Sequence, residues 1–314
     1  MRVWNGIGAF PSDAGRVVAS IGNYDGVHLG HRAILSRVLE RAAGHGRRSL
    51  LITFDPHPLS VLAPQRQLRR LQTRGQKLDR LAGTGLTDLL IVRFDPALAR
   101  LDGEEFFDRL LGTRVDFASI HVGESFRFGR DRHGDVELLR RIGARRGFAV
   151  EGVPTVEIDG RAVSSSAIRQ ALEAGDVELA ARMLGRPFQI TGEVVRGEGR
   201  GRTLDCPTAN LEPENEMLPA RGVYVTEATV LARRLPSVTN VGVRPTFGGA
   251  DLTVETHLLG FDDDLYEERL ELGFLARLRD EAAFDGPAAL KRQIALDREA
   301  ADAYFAARRG CGAR

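Results

Sequence analysis

Along the first half of the chain, short apolar runs alternate with stretches whose apolar residues recur every three or four positions. The runs are RVVASIG (16–22), RSLLITF (48–54), DLLIVRF (88–94), FASIHVG (117–123) and FAVEGVP (148–154). Such near-continuous apolar segments suit strands covered on both faces. Between them, residues near 30–43, 75–82, 103–111 and 135–146 carry helical periodicity. Strand–helix alternation at this spacing predicts an α/β fold with a parallel, doubly wound sheet. Sheets of that kind bind ligands beyond the C-terminal ends of their strands.

SSSAIRQALEAGDVELAARMLG (164–185) then predicts two helices broken at Gly175-Asp176. Gly185 ends the second, with Pro187 just beyond as a stop. From there the period changes. FQITGEVVRGEG, GVYVTEATV, PSVTNVGV, LTVETHLLGF and ERLELGFLARL are β-rich and separated by turns, and PAALKRQIALDREAADAYFAA (287–307) is a closing helix. Several short strands with one helix predict an antiparallel barrel or sandwich. The 314 residues suit two domains at about 150 each. The expected division is 1–185 and 186–314.

Composition narrows the function classes. The net charge of +1 argues against a dedicated nucleic-acid or membrane surface. No apolar run reaches the ~18 residues of a membrane span, and no signal-peptide pattern opens the chain. Two cysteines, Cys206 and Cys311, have no metal-ligand spacing, which suits a reducing compartment. The expectation is a cytoplasmic protein, monomeric or transiently self-associating. The cations are nearly all arginine; the lysines are Lys77 and Lys291. No GxxxxGK[ST] or VAIK pattern occurs, so phosphoryl transfer here cannot use a P-loop or a protein-kinase lysine.

The chemistry concentrates at the end of the first strand, in IGNYDGVHLGH (21–31). A glycine-rich turn entering a helix presents unpaired N–H groups and a positive dipole end, a phosphate site. Gly22, Tyr24, Asp25 and Gly30 belong to this turn, and His28 and His31 can reach phosphate oxygens and stabilise charge in a transition state. A capped turn with a core histidine, or a metal pair lacking further ligands, fits the same residues. A second phosphate candidate is VSSSAIR (163–169): Ser164 and Ser165 open a helix and Arg169 lies one turn in. On its own it is equally an N-cap with a surface arginine.

These segments have an order and spacing that resemble the bifunctional prokaryotic riboflavin kinase/FMN adenylyltransferase (FAD synthetase) family. The resemblance rests on GNYDGVHLGH (22–31), TFDPHP (53–58), VGESFRFGRDRHGD (122–135) and VSSSAIR (163–169) in the first half. In the second it rests on GRTLDCPTANL (201–211), GVYV (222–225), NVGVRPTF (240–247), VETHLLGF (254–261), LY (265–266), LRDEAAF (278–284) and LKRQIALD (290–297). It implies a Rossmann-like nucleotidyltransferase domain followed by a riboflavin-kinase-type antiparallel β-barrel with a long C-terminal helix. The implied activities are ATP-dependent phosphorylation of riboflavin to FMN and adenylyl transfer from ATP to FMN, giving FAD and pyrophosphate.

In the first domain the resemblance gives His28 and His31 the triphosphate and Ser164, Ser165 and Arg169 the departing phosphates. Phe126, Arg127 and Phe128 line a flavin or nucleotide pocket, and His57 faces the site. No lysine is expected near these motifs. In the second domain Thr208 and Asn210 hold Mg²⁺ with ATP, Gly199, Gly201 and Arg202 form a loop over the nucleotide, and Glu255 takes the riboflavin hydroxyl proton. Arg279 touches flavin or nucleotide. The chain departs from the family pattern at Ser125, Ser166, Ala167 and Gln76, and at Asp205, Cys206, Gly260 and Glu267. Competing readings are a kinase with a weakened adenylyltransferase site, and a flavin-binding regulatory protein.

Overall fold

The computed structural model describes all residues except 67, 112–113, 197–206, 247–248, 262 and 312–314. The chain forms two compact units, Met1–Arg69 with Arg74–Ser164, and Ser165–Arg314 with Arg70–Thr73.

The first unit is a six-stranded parallel sheet in the order β1-β4-β3-β2-β5-β6. Its strands are β1 (Arg2–Asn5), β2 (Val17–Ile21), β3 (Ser49–Asp55), β4 (Asp88–Arg93), β5 (Phe117–Gly123) and β6 (Ala149–Val153). The five expected runs are all strands, and β1 adds an edge. Its four residues are mostly exposed and carry no apolar run, so periodicity did not reveal it. The helices are α1 (Leu29–Gly44), α2 (Pro58–Leu62), α3 (Arg74–Ala82), α4 (Pro96–Ala99), α5 (Gly103–Glu105) and α6 (Val136–Arg146), with a π-helical turn at Phe106–Leu111. Alternate strand residues feed two cores, as double winding requires. Val17, Ala19, Ile21, Leu50, Ile52, Leu90 and Val92 pack with the phenylalanine-rich side and α6. Val18, Leu51, Leu89 and Ile91 pack with Leu35, Val38 and Ala42 of α1. The strand order reverses at β2, between β3 and β5, so the turn after β2 lies at the switch point where such sheets take ligands.

A short hairpin, β7 (Glu157–Ile158) with β8 (Arg161–Ala162), ends the first unit. The second opens with α7 (Ser165–Glu173) and α8 (Val177–Leu184), broken at Gly175 as expected. Gly175 has φ +78°, and a Cβ on it would lie 2.6 Å from Arg277 Nη1, so that position needs glycine twice over. Arg277 there donates to the Ala174 and Arg221 carbonyls.

The β-rich half is a closed barrel, in the order β10-β13-β12-β11-β14-β9. Its strands are β9 (Phe188–Val195), β10 (Ala209–Pro213), β11 (Gly222–Val230), β12 (Arg233–Thr246), β13 (Gly249–Leu258) and β14 (Arg269–Arg279). Closure removes the exposed edges a sandwich would keep. Phe188, Ile190, Leu211, Val241, Val254, Leu272 and Phe274 are buried in this unit. Among them Thr226, Ser237, Thr239 and Thr256 satisfy one another through hydroxyl hydrogen bonds of 2.7–2.9 Å. The closing helix, α9 (Pro287–Cys311), lays Ala301 and Phe305 against Val225, Val238 and Leu275 of the barrel wall.

Candidate active sites

The first site grows from the corner between β2 and α1. Gly22 N–H still donates to the Ile52 carbonyl, 3.0 Å away, and then the chain leaves the sheet. Tyr24 and Val27 both have positive φ, 52° and 42°, so the turn is strained at two non-glycine positions. Tyr24 is buried, shares a 2.7 Å hydrogen bond with Ser20 Oγ, and burial raises its hydroxyl pKa above the usual range. Asp25 is buried in the same turn.

His28 caps α1: its Nδ1 accepts from the His31 N–H at 3.3 Å. Accepting there leaves the proton of the neutral ring on Nε2. The His28 and His31 rings stack 3.6 Å apart, and Tyr24 stacks on His31 from its other side at 4.5 Å. Among the described residues, nothing pairs with the buried Nδ1 of His31 by a hydrogen bond. Burial, His28 and Lys77 together hold the His31 pKa well below the usual histidine value. A Cβ on Gly30 would meet the His28 ring at 3.2 Å and the Val163 carbonyl at 3.6 Å. The absence of a side chain at Gly30 therefore lets the imidazole lie down, and the segment leading to Ser164 runs alongside.

Lys77 corrects the expectation that no lysine stands near these motifs. α3 carries it from 46 residues beyond His31 to this corner. Its Nζ donates to the Asn23 carbonyl at 2.7 Å and to Thr53 Oγ1 at 2.8 Å. Sequence spacing concealed it because parallel topology, not proximity in the chain, brings the end of β3 and α3 to the turn after β2.

Among the other expected residues, Ser164 ends the first unit, while Ser165 and Arg169 belong to α7 in the second, all three half-buried. His57 caps α2, its Nδ1 accepting from Leu59 N–H. Phe128 is a core residue stacked against the half-buried Phe126, and also meets Phe106 and Phe107. Arg127 is exposed and donates to the Phe126 carbonyl.

The second site lies across the barrel wall. In the antiparallel ladders Asn210 of β10 stands opposite Glu255 of β13, and Glu255 stands opposite Asn240 of β12. Directly opposed residues share a face. This row alternates with the buried Leu211, Val254 and Val241, so it is on the outside of the barrel. Asn240 continues to Val223, and Val223 to Arg279. Three expected residues from distant motifs thus fall in one cross-strand row. Asn240, in NVGVRPTF, was not singled out; only strand register reveals it. Gly242 supplies space beside it: a Cβ there would lie 2.5 Å from Glu281 Oε1 and 3.0 Å from Asn240 Nδ2.

Thr208 is half-buried at the entry to β10. Arg279 is held by Asp297 of α9, with Nε at 2.9 Å and Nη2 at 2.7 Å from its carboxylate, and lies 5.6 Å from the Phe284 ring. Gly199, Gly201, Arg202, Asp205 and Cys206 lie outside the described residues.

An α/β unit with a helix-capping histidine pair at its switch point, followed by a closed six-stranded barrel with a polar outer row, defines a two-domain phosphate-handling transferase. Residues 10–167 match the FAD synthetase family and residues 184–305 the riboflavin kinase family. The chain is 42% identical over 290 residues to the bifunctional riboflavin kinase/FMN adenylyltransferase of Pseudomonas fluorescens, covering 92% of this chain and 93% of that one. It is 38% identical over 289 residues to the protein of the same description from Escherichia coli K12, covering 92% of each. The chain belongs to the bifunctional riboflavin kinase/FMN adenylyltransferase family. A crystal structure described as a macrolide-efflux protein from Streptococcus pneumoniae superposes with a TM-score of 0.88 at 27% identity, covering 96% of this chain and 99% of that one. That likeness is one of fold; among the described residues, no helix here is long and apolar enough to cross a membrane.

Proposed function

We propose that the two activities of the family are divided between the two sites: adenylyl transfer to FMN at the β2–α1 corner, riboflavin phosphorylation on the outer row of the barrel. The functional division falls near residue 185. The observation that carries the first assignment is the stacked histidine pair with the partnerless Nδ1 of His31.

Adenylyl transfer displaces pyrophosphate from the α-phosphorus of ATP as an FMN phosphate oxygen attacks in line. It needs positioning and stabilisation of charge more than a covalent intermediate. His28, whose Nδ1 accepts from the helix, carries its proton on Nε2, the nitrogen able to donate to a phosphate oxygen. His31, neutral near pH 7 before substrate arrives, donates as an imidazole and not as an imidazolium. The positive field comes instead from the N-terminus of α1 and from Lys77. Ser164, Ser165 and Arg169 then hold the leaving phosphates.

On the barrel, Thr208 and Asn210 offer hydroxyl and amide oxygens, hard donors that suit Mg²⁺. Among the described residues no cluster of three or more His, Cys, Asp or Glu could hold a metal by itself. Two such oxygens leave most of the coordination shell of a Mg²⁺ ion to phosphate oxygens and water, and Mg²⁺ bound there would neutralise the triphosphate. Glu255 accepts the 5′-hydroxyl proton of riboflavin as that oxygen attacks the γ-phosphate. The substrates of this reading are riboflavin, FMN and ATP, and its setting the cytoplasm.

The test is a product assay with riboflavin, ATP and Mg²⁺. FAD supports both activities, FMN alone a kinase, and binding without turnover a regulatory protein. His28→Ala or His31→Ala is expected to abolish FMN-to-FAD conversion and to spare riboflavin phosphorylation; Glu255→Ala or Asn210→Ala is expected to do the reverse. Loss of both activities from either change in a folded chain would overturn the division.

A further inference from the structure

We infer that His257 is a positioning residue for the kinase site, latching the segment that presents Thr208; this rests on the assignment of Thr208 to the nucleotide site. The β10–β13 ladder pairs Leu211 with Val254, Asn210 with Glu255 and Ala209 with Thr256, and ends there. Two residues earlier stands Pro207, which has no N–H with which to extend a ladder. Its carbonyl is instead taken by the imidazole of His257, whose Nδ1 lies 2.8 Å away. A carbonyl only accepts, so Nδ1 carries the proton and the tautomer is fixed. His257 is buried, and Val238 of β12 stands opposite it in the ladder.

The consequence is geometric. Strand alternation puts Glu255 and His257 on the same outer face of β13, two residues apart. Glu255 faces Asn210 through the ladder, and His257 holds Pro207 through its side chain. Thr208 lies between these two fastenings. One strand thereby fixes both ends of the Pro207–Asn210 segment, and with them the distance from Thr208 to Glu255. His257 acts on Thr208 through Pro207; it contacts no reacting atom in this reading.

The experiment uses the full chain and four variants. His257→Leu removes the donor and keeps bulk. His257→Asn puts an amide N–H near the Nδ1 position, His257→Gln puts one near Nε2, and Thr208→Ala serves as the reference. Two measurements are made: initial rates of riboflavin phosphorylation against ATP concentration, and calorimetric titration of Mg²⁺-ADP, which needs no turnover. His257→Leu is expected to raise the half-saturating ATP concentration and the dissociation constant of the Thr208-dependent site about tenfold, equivalent to about 1.4 kcal/mol. His257→Gln should match it, and His257→Asn should stay within about twofold of the native chain. FMN adenylylation, unchanged in all three, reports that the chain is folded. Native affinity in His257→Leu, or equal behaviour of the Asn and Gln variants, overturns the latch. Native Mg²⁺-ADP affinity in Thr208→Ala overturns instead the site assignment beneath it, so the two failures are separable.

Discussion

Gly30 shows how little space separates a helix from a phosphate site. Alanine is the better helix former by up to about 1 kcal/mol, and Gly30 has ordinary helical φ. Yet an added methyl would stand 3.2 Å from the His28 ring. Gly30→Ala is therefore expected to leave the unfolding midpoint nearly unchanged while FMN-to-FAD conversion falls severalfold, as the imidazole tilts off His31. A loss of stability without loss of FAD formation would contradict that account. Lys77 makes a different expectation. Its ammonium ties α3 to the Asn23 carbonyl and to Thr53, and its charge acts on His31. Lys77→Met should lower adenylyl transfer by about ten- to a hundredfold, with riboflavin phosphorylation by the same sample as the internal control.

At the scale of elements, β14 and α9 meet in one ion pair that periodicity could not supply. Asp297 is 6% exposed, and besides Arg279 its carboxylate accepts from Gln293 Nε2 at 2.9 Å. Removing one partner of such a pair leaves a buried charge, which costs more than the pair itself contributes. Arg279→Leu should destabilise the chain by about 2–4 kcal/mol in urea unfolding, and adding Asp297→Leu should recover part of the loss. If the double variant were no more stable than the single one, the coupling would be absent. No stretch of neighbouring residues gives Arg279 this partner; the packing of α9 supplies its carboxylate.

For the molecule as a whole, pH dependence follows from its buried imidazoles. His121 on β5 is 1% exposed, with Ser119 Oγ 3.0 Å from Nε2 and Glu151 3.4 Å from Nδ1. Burial, helped by Arg41 and Arg37, outweighs Glu151 and lowers its pKa. His31 is lowered too. In the unfolded chain both titrate near 6.5. Each therefore contributes stability that is fully present above about pH 6.5 and is lost as pH falls through the folded value. Unfolding free energies from urea titrations are expected to drop between pH 7.5 and 5, by at most about 1.4 kcal/mol per pH unit per group. The slope should be shallower in His121→Asn; equal slopes would remove His121 from the explanation.

What the sequence determined by itself is whatever depends on neighbours along the chain. The five parallel strands, the Gly175 break and the change of period after Gly185 are local, because strand and helix write their burial at periods of two and 3.6. The histidine turn was equally legible, since one helix cap holds both rings. Tertiary structure alone decided what distant segments share. It brought Lys77 to His31, set Asn240 beside Glu255, and gave Arg279 its carboxylate and Pro207 its imidazole. Each of those contacts depends on strand order, ladder register or helix docking. These follow from how the whole chain buries its apolar surface, and no window of neighbouring residues contains that information.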